Sequence, residues 1–175
     1  MIPSWLSAHL HWLWELEDER VLRALVIGEA EGEDFRGKWC VATTVANRTL
    51  YALGGLVPWF QRTVKGNCLA DAQYSCFFGD GWAKRRDAIE RAALGAPTSG
   101  IYLDAHRAAV SALSRFDALT GKRPRDLIQG DPTFGADHYF NPRHVLPKWA
   151  QAMEPTVETA GHRFFNSQLY AGATR

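Results

Sequence analysis

Long apolar runs are missing from this chain, and cysteine and surplus charge are scarce. No stretch approaches the roughly eighteen consecutive apolar residues that a membrane-spanning helix needs, so no such helix is expected. The three cysteines, Cys40, Cys68 and Cys76, include no C-x-x-C pair, which argues against a thiolate zinc site. Their odd number and wide spacing argue against a disulfide framework and suit folding in a reducing compartment. The net charge is +1, and the dense basic run Lys84-Arg85-Arg86 reads as a solvated helix end. A nucleic-acid partner is therefore not expected. His138, His144 and His162 fall near Asp131 and Asp137, but no H-E-x-x-H or other ligand spacing appears. Neither a metal nor another cofactor is expected. Ser75 lacks the G-x-S-x-G frame of a nucleophilic serine. The first twenty residues lack a basic segment and a small-residue cleavage site, so no secretory signal is expected.

What remains is a chain of 175 residues, suited to one domain. The reading is a single domain over 1–175, with a Trp-rich N-terminal helix in 1–20 and a core over 22–165. Trp5, Trp12 and Trp14 lie on a predicted helix over 4–17, capped by Ser4. Such a helix could touch a membrane surface weakly. No Lys or Arg precedes Arg20, so packing on the body of the domain is preferred. Further helices are predicted over 18–31, stopped by Gly32, and over 34–50, with Asn47 and Arg48 near its end. Another covers 84–94, and one capped by Asp104 runs to Leu119, its stripe being His106, Ala109, Val110, Leu113 and Phe116. The stretch 57–81 reads as irregular. Short strands are predicted over 137–140 and 161–165. The class is α+β, mostly helical, with a small sheet or hairpin packed on helices.

Glu29 is the most informative position. It follows Leu25 by four residues and Val26 by three, so it continues the apolar stripe of its helix. A carboxyl set against apolar neighbours loses hydration, which favours the protonated form. Such an acid can give its proton to the leaving oxygen of a glycosidic bond. The competing reading is a carboxylate at a helix end that reaches solvent. Glu31 faces away from Glu29. Glu33 follows the Gly32 break, and capping of the next helix is preferred for it over a second reactive carboxylate. The segment Gly130 to Pro142 is dense in turn formers and hydrogen-bonding groups. Asp131, Thr133, His138, Tyr139 and Asn141 are candidates there for binding sugar hydroxyls. Tyr139, Phe140 and Trp149 could supply aromatic faces for the rings. A self-stabilised surface loop is the plainer alternative.

These pieces occur in an order that resembles a known family. Glu29-Ala30-Glu31-Gly32-Glu33 matches an E-A-x-G-E motif, and Asn47-Arg48 an N-R helix segment. Gln73 to Cys76 matches Q-[FY]-S-C, and Asp131 to Pro142 matches D-P-T-x-G-A-x-x-Y-x-N-P. Pro147 to Trp149 and Gly161 to Phe164 complete the set as P-x-W and G-x-H-x-F. Together they resemble the SleB-type cell-wall hydrolases, over about Leu22 to Phe165. The resemblance implies a lysozyme-like or lytic-transglycosylase-like domain acting on peptidoglycan glycan strands. The bond cleaved would be the β-1,4 link after N-acetylmuramic acid. It also implies that Glu29 is the catalytic residue. The expected mechanism is that of a lytic transglycosylase, with Glu29 taking both proton steps in turn and giving a 1,6-anhydro product. Substrate contacts are expected from Glu33, Asn47, Tyr74, Ser75, Asp131, Thr133, His138, Tyr139 and His162. A hydrolytic muramidase is the near alternative, and a non-catalytic wall-binding module the distant one. A monomer is expected, made in the cytoplasm and acting on the wall after a holin-type release.

Overall fold

The structure is a computed structural model and describes residues 2–70, 73–98, 100–122 and 130–169. Its organising element is α2, Asp18–Ala30. Val21, Leu22, Ala24, Leu25, Val26 and Ile27 are all fully buried, so the helix is enclosed on nearly every side. Around it lie α3 (Phe35–Leu53), α5 (Gly79–Leu94) and α6 (Gly100–Leu119), with the short α4 (Val64–Leu69) against its flank. Among the described residues no helix is long and apolar enough to cross a membrane.

The N-terminal segment is not the long helix predicted. A 3-10 turn at Ala8–Leu10 leads into a single turn, α1, at His11–Trp14, and Ser4 caps nothing. Leu6, Leu10 and Leu13 are buried in the main core, so the segment packs on the domain. Trp5 meets Trp14 edge-on at 5.9 Å and stays partly exposed. Three tryptophans at helical spacing had suggested more regular structure than three buried leucines require.

α3 starts at an N-cap supplied by Asp34, whose carboxylate accepts from the Gly37 N–H at 2.8 Å. It runs on to Leu53, so Asn47 and Arg48 sit inside the helix and do not cap it. α6 lies along α3 and faces it with small side chains. Its buried positions are Ala105, Ala108, Ala109 and Ala112, while Val110 is exposed. The predicted stripe was rotated because apolar bulk was taken as the inward signal; the inner face is set by alanines spaced i, i+3, i+4, i+7. The helix also begins before Asp104, which lies in its interior. α5 likewise begins at Gly79, before the predicted start, and Lys84, Arg85 and Arg86 are exposed along it.

Three short antiparallel strands close the domain in the order β1 (His138–Phe140), β3 (Arg163–Phe165), β2 (Val157–Glu158). Tyr139 faces Phe164 across β1 and β3, and Val157 faces Phe164 from the other side. β1 and β3 fall within the strands predicted over 137–140 and 161–165. β2, two residues long, carries no legible pattern. Phe140 stacks on Phe165 at 5.4 Å in a small second core with Ala150. The architecture is the mostly helical α+β domain that the sequence predicted.

Candidate active site

A cleft of about 520 Å³ opens between the end of α2, the 3-10 turn at Ser75–Phe77 and β1. Glu29, Arg48, Tyr74, Ser75, Tyr139, Trp149 and His162 are among its walls. Glu29 occupies the last turn of α2 and is half-buried. Its carboxylate accepts the Cys76 backbone N–H at 3.0 Å and the Ser75 hydroxyl at 3.5 Å. One residue earlier, Gly28 makes this possible. Any side chain there would run into the Cys76 side chain, so glycine lets the Ser75–Phe77 turn close onto α2. Gly81 gives the same clearance to the Ser75 carbonyl. Burial, reinforced by the nearby Glu29 charge, pushes the Cys76 thiol far above its usual range. It therefore stays protonated and is no nucleophile.

Tyr139 and Tyr74 stack in the cleft wall with centroids 6.2 Å apart. The Tyr74 hydroxyl oxygen accepts from Arg48 Nη1 at 2.6 Å, whereas the Tyr139 hydroxyl is buried without a hydrogen-bond partner among the described residues. Arg48 also donates to the Gln73 side chain at 3.0 Å and to the Asp137 carbonyl at 2.6 Å. Its guanidinium lies over the rings of Phe60 and Tyr74, a cation–π pairing that fixes the floor of the cleft. Arg48 was noticed in the sequence only as half of a motif. Trp149 remains 39% exposed at the rim.

Glu33 does not cap α3, because Asp34 takes that place. It turns inward, is buried, and accepts from His162 Nδ1 at 3.3 Å. Lys38, itself buried, clamps the intervening turn by donating to the carbonyls of Glu31, at 3.1 Å, and of Glu33. Sequence reasoning missed Lys38, since nothing distinguishes it from a solvated lysine.

Three of the expected sugar contacts are placed elsewhere. Asn47, Asp131 and Thr133 are buried and form a polar knot behind the cleft with Arg115. Asp131 accepts from Asn47 Nδ2 at 2.8 Å, Arg115 Nη2 at 3.2 Å, the Thr133 N–H at 2.7 Å and hydroxyl at 2.6 Å, and the Gly135 N–H at 2.9 Å. A carboxylate so fully engaged ties α3, α6 and the loop before β1 together and has no lone pair to spare. His138 lies off the cleft too, its ring between Phe60 and Trp149 and its Nδ1 3.0 Å from Asp137. Sequence density in polar groups could not separate a loop's internal bonding from a binding surface. Of the expected set, Glu29, Tyr74, Ser75, Tyr139 and His162 line one cleft, and Glu33 lines a depression adjoining it.

Asp137 gives the domain an acid-sensitive point. Burial works to raise its carboxyl, but hydrogen bonds from His138 and Ser167 outweigh it and hold the group below the usual carboxylate range. A depressed folded-state value adds stability above the unfolded value, about 3.9, that is lost as pH falls through the folded value. Melting curves of Asp137→Asn should therefore lie below wild type at neutral pH and converge with it in acid. Parallel curves at every pH would show that the charge contributes nothing.

The sequence model of the Cell Wall Hydrolase family matches residues 32–165. The chain belongs to that family. As a cell wall hydrolase it is matched from the α2–α3 turn onward, so Glu29 falls just ahead of the matched stretch. No curated protein matches the chain. Among solved structures, this cell wall hydrolase is similar to the catalytic domain of the Bacillus cereus SleB protein. That match has 21% identity and a TM-score of 0.56, covering 94% of this chain and 95% of that one. It is also similar to the catalytic domain of the germination-specific lytic transglycosylase SleB from Bacillus anthracis. Here the values are 21% identity and a TM-score of 0.57, over 94% of this chain and all of that one. At that identity the likeness establishes the fold, a lysozyme-like α+β domain.

Proposed function

We propose that this cell wall hydrolase cleaves the glycan strands of peptidoglycan at the β-1,4 bond after N-acetylmuramic acid, with Glu29 as the acid. The observation that carries the reading is a half-buried carboxyl held by the Cys76 N–H at the wall of an aromatic-lined cleft. Proton donation to a glycosidic oxygen needs an acid fixed in a cleft that takes up the sugar. The outcome proposed is that of a lytic transglycosylase: the muramic C6 hydroxyl attacks C1 of the same sugar and leaves a 1,6-anhydro end. The fold shared with a lytic transglycosylase supports this. So does the arrangement of carboxylates, because a hydrolytic muramidase would use a second one. Asp131 is enclosed in the knot and Glu33 is engaged by His162. Digestion of purified peptidoglycan followed by mass spectrometry tests the proposal. Muropeptides one water lighter than hydrolysis products are expected; products with ordinary reducing ends would establish a muramidase instead.

A further inference from the structure

Glu33 and His162 are brought together from positions 129 residues apart in sequence, and the fold makes room for them with care. Side chains at Gly37 and at Gly161 would both run into the Glu33 carboxylate. The two glycines therefore form a pocket for a carboxyl group that is only 9% exposed as a residue. Its Oε2 is buried without a hydrogen-bond partner among the described residues, while Oε1 meets His162 Nδ1. A buried carboxylate left half-satisfied is poor architecture for stability alone, and such exceptions gather at functional positions.

The pairing also fixes the imidazole. A carboxylate oxygen only accepts, so Nδ1 carries the hydrogen and Nε2 keeps its lone pair. Among the described residues Nε2 has no hydrogen bond, and the ring lines both the main cleft and the adjoining polar depression that Glu29 shares. Tyr139 holds the ring edge-on at 5.3 Å. Burial keeps the imidazole below its ordinary value, with Glu33 and then Glu29 pulling the other way and His144 adding to the lowering. The titratable groups facing His162 are thus Glu33, Glu29 on α2, Tyr139 on β1 and His144 beyond it, with Lys38 of α3 behind Glu33. The ring is neutral, and so able to accept a proton, at neutral pH.

Resting on the proposed function, we infer that His162 Nε2, not the spent Glu29 carboxylate, is the base of the second proton step, and that Glu33 is its positioning residue. In this step the muramic O6–H bond breaks and its proton goes to Nε2. The O6–C1 bond forms as the positive charge on C1, left by departure of the O4 group with the Glu29 proton, is discharged. The enzyme ends with Glu29 ionised and His162 protonated. Transfer of one proton from His162 to Glu29, directly or through solvent, resets it.

The experiment compares His162→Ala, His162→Asn and Glu33→Gln with wild type on purified peptidoglycan, with melting temperatures recorded for each. His162→Asn retains an N–H for Glu33 but has no basic nitrogen. Both His162 variants should lose about a hundredfold or more in rate. Imidazole should restore part of the rate of His162→Ala, in proportion to its free-base form. Glu33→Gln removes the charge that props up the imidazole, so the acid limb of its pH–rate profile should move to lower pH. A His162→Asn variant as active as wild type overturns the inference. So does an absence of imidazole rescue together with an acid limb unmoved in Glu33→Gln. If instead Glu29→Gln remains lytic, the proposed function itself fails, a result distinct from either.

Discussion

Glu29→Gln should reduce the release of glycan fragments from purified peptidoglycan by about a thousandfold, within the range general acids contribute. The two side chains have nearly the same shape. The amide oxygen can still accept the Cys76 N–H that holds Glu29 at 3.0 Å, so the loop stays in place. Glu29 is half-buried at a cleft wall and outside the core, so the melting temperature should move little. What the amide cannot do is give up a proton to a leaving oxygen. Zymography of wild type and variant side by side, with equal folded protein confirmed by melting, measures this directly. Undiminished lysis would remove Glu29 from the chemistry and return the protein to the class of wall-binding modules.

Asp131→Ala should have the opposite signature. The Asp131 carboxylate accepts from Asn47, Arg115, Thr133 and Gly135, and its side chain is wholly buried. Removing one partner of a buried charged pair costs about 3–5 kcal/mol. For a chain of this size that corresponds to a fall of roughly 6–20 °C in melting temperature. Activity per folded molecule, assayed well below the new melting point, should be close to wild type, because the knot lies behind the cleft. A variant that melts normally but binds glycan poorly would place Asp131 on the substrate after all.

Much of the fold was legible because the signals were local. Gly32 marks the break after α2, and β1 and β3 lie within the short stretches 137–140 and 161–165 predicted as strands. The candidate acid stood out for a related reason: a carboxylate on an otherwise apolar stripe is out of place at Glu29, and that residue lies in the wall of the cleft. The errors have physical sources. Alanine is a weak hydrophobic signal, so the inner face of α6 was misplaced by bulkier Val110. The polar segment after Gly130 looked like a binding surface, yet Asp131 and Thr133 spend their hydrogen bonds on the chain itself. The Glu33–His162 pair depends on tertiary contact over 129 residues, and the two glycines that admit it look like ordinary breaks in the sequence. Buried cations such as Lys38 and Arg48 are invisible to any rule that sends charge to the surface.

The proposed proton donor rides on a helix seated in the main core. Because α2 is gripped on nearly all sides, the bearing of Glu29 is inherited from the same hydrophobic collapse that folds the chain. On the proposed reading, a glycan would meet an acid whose backbone is already fixed by the folded core.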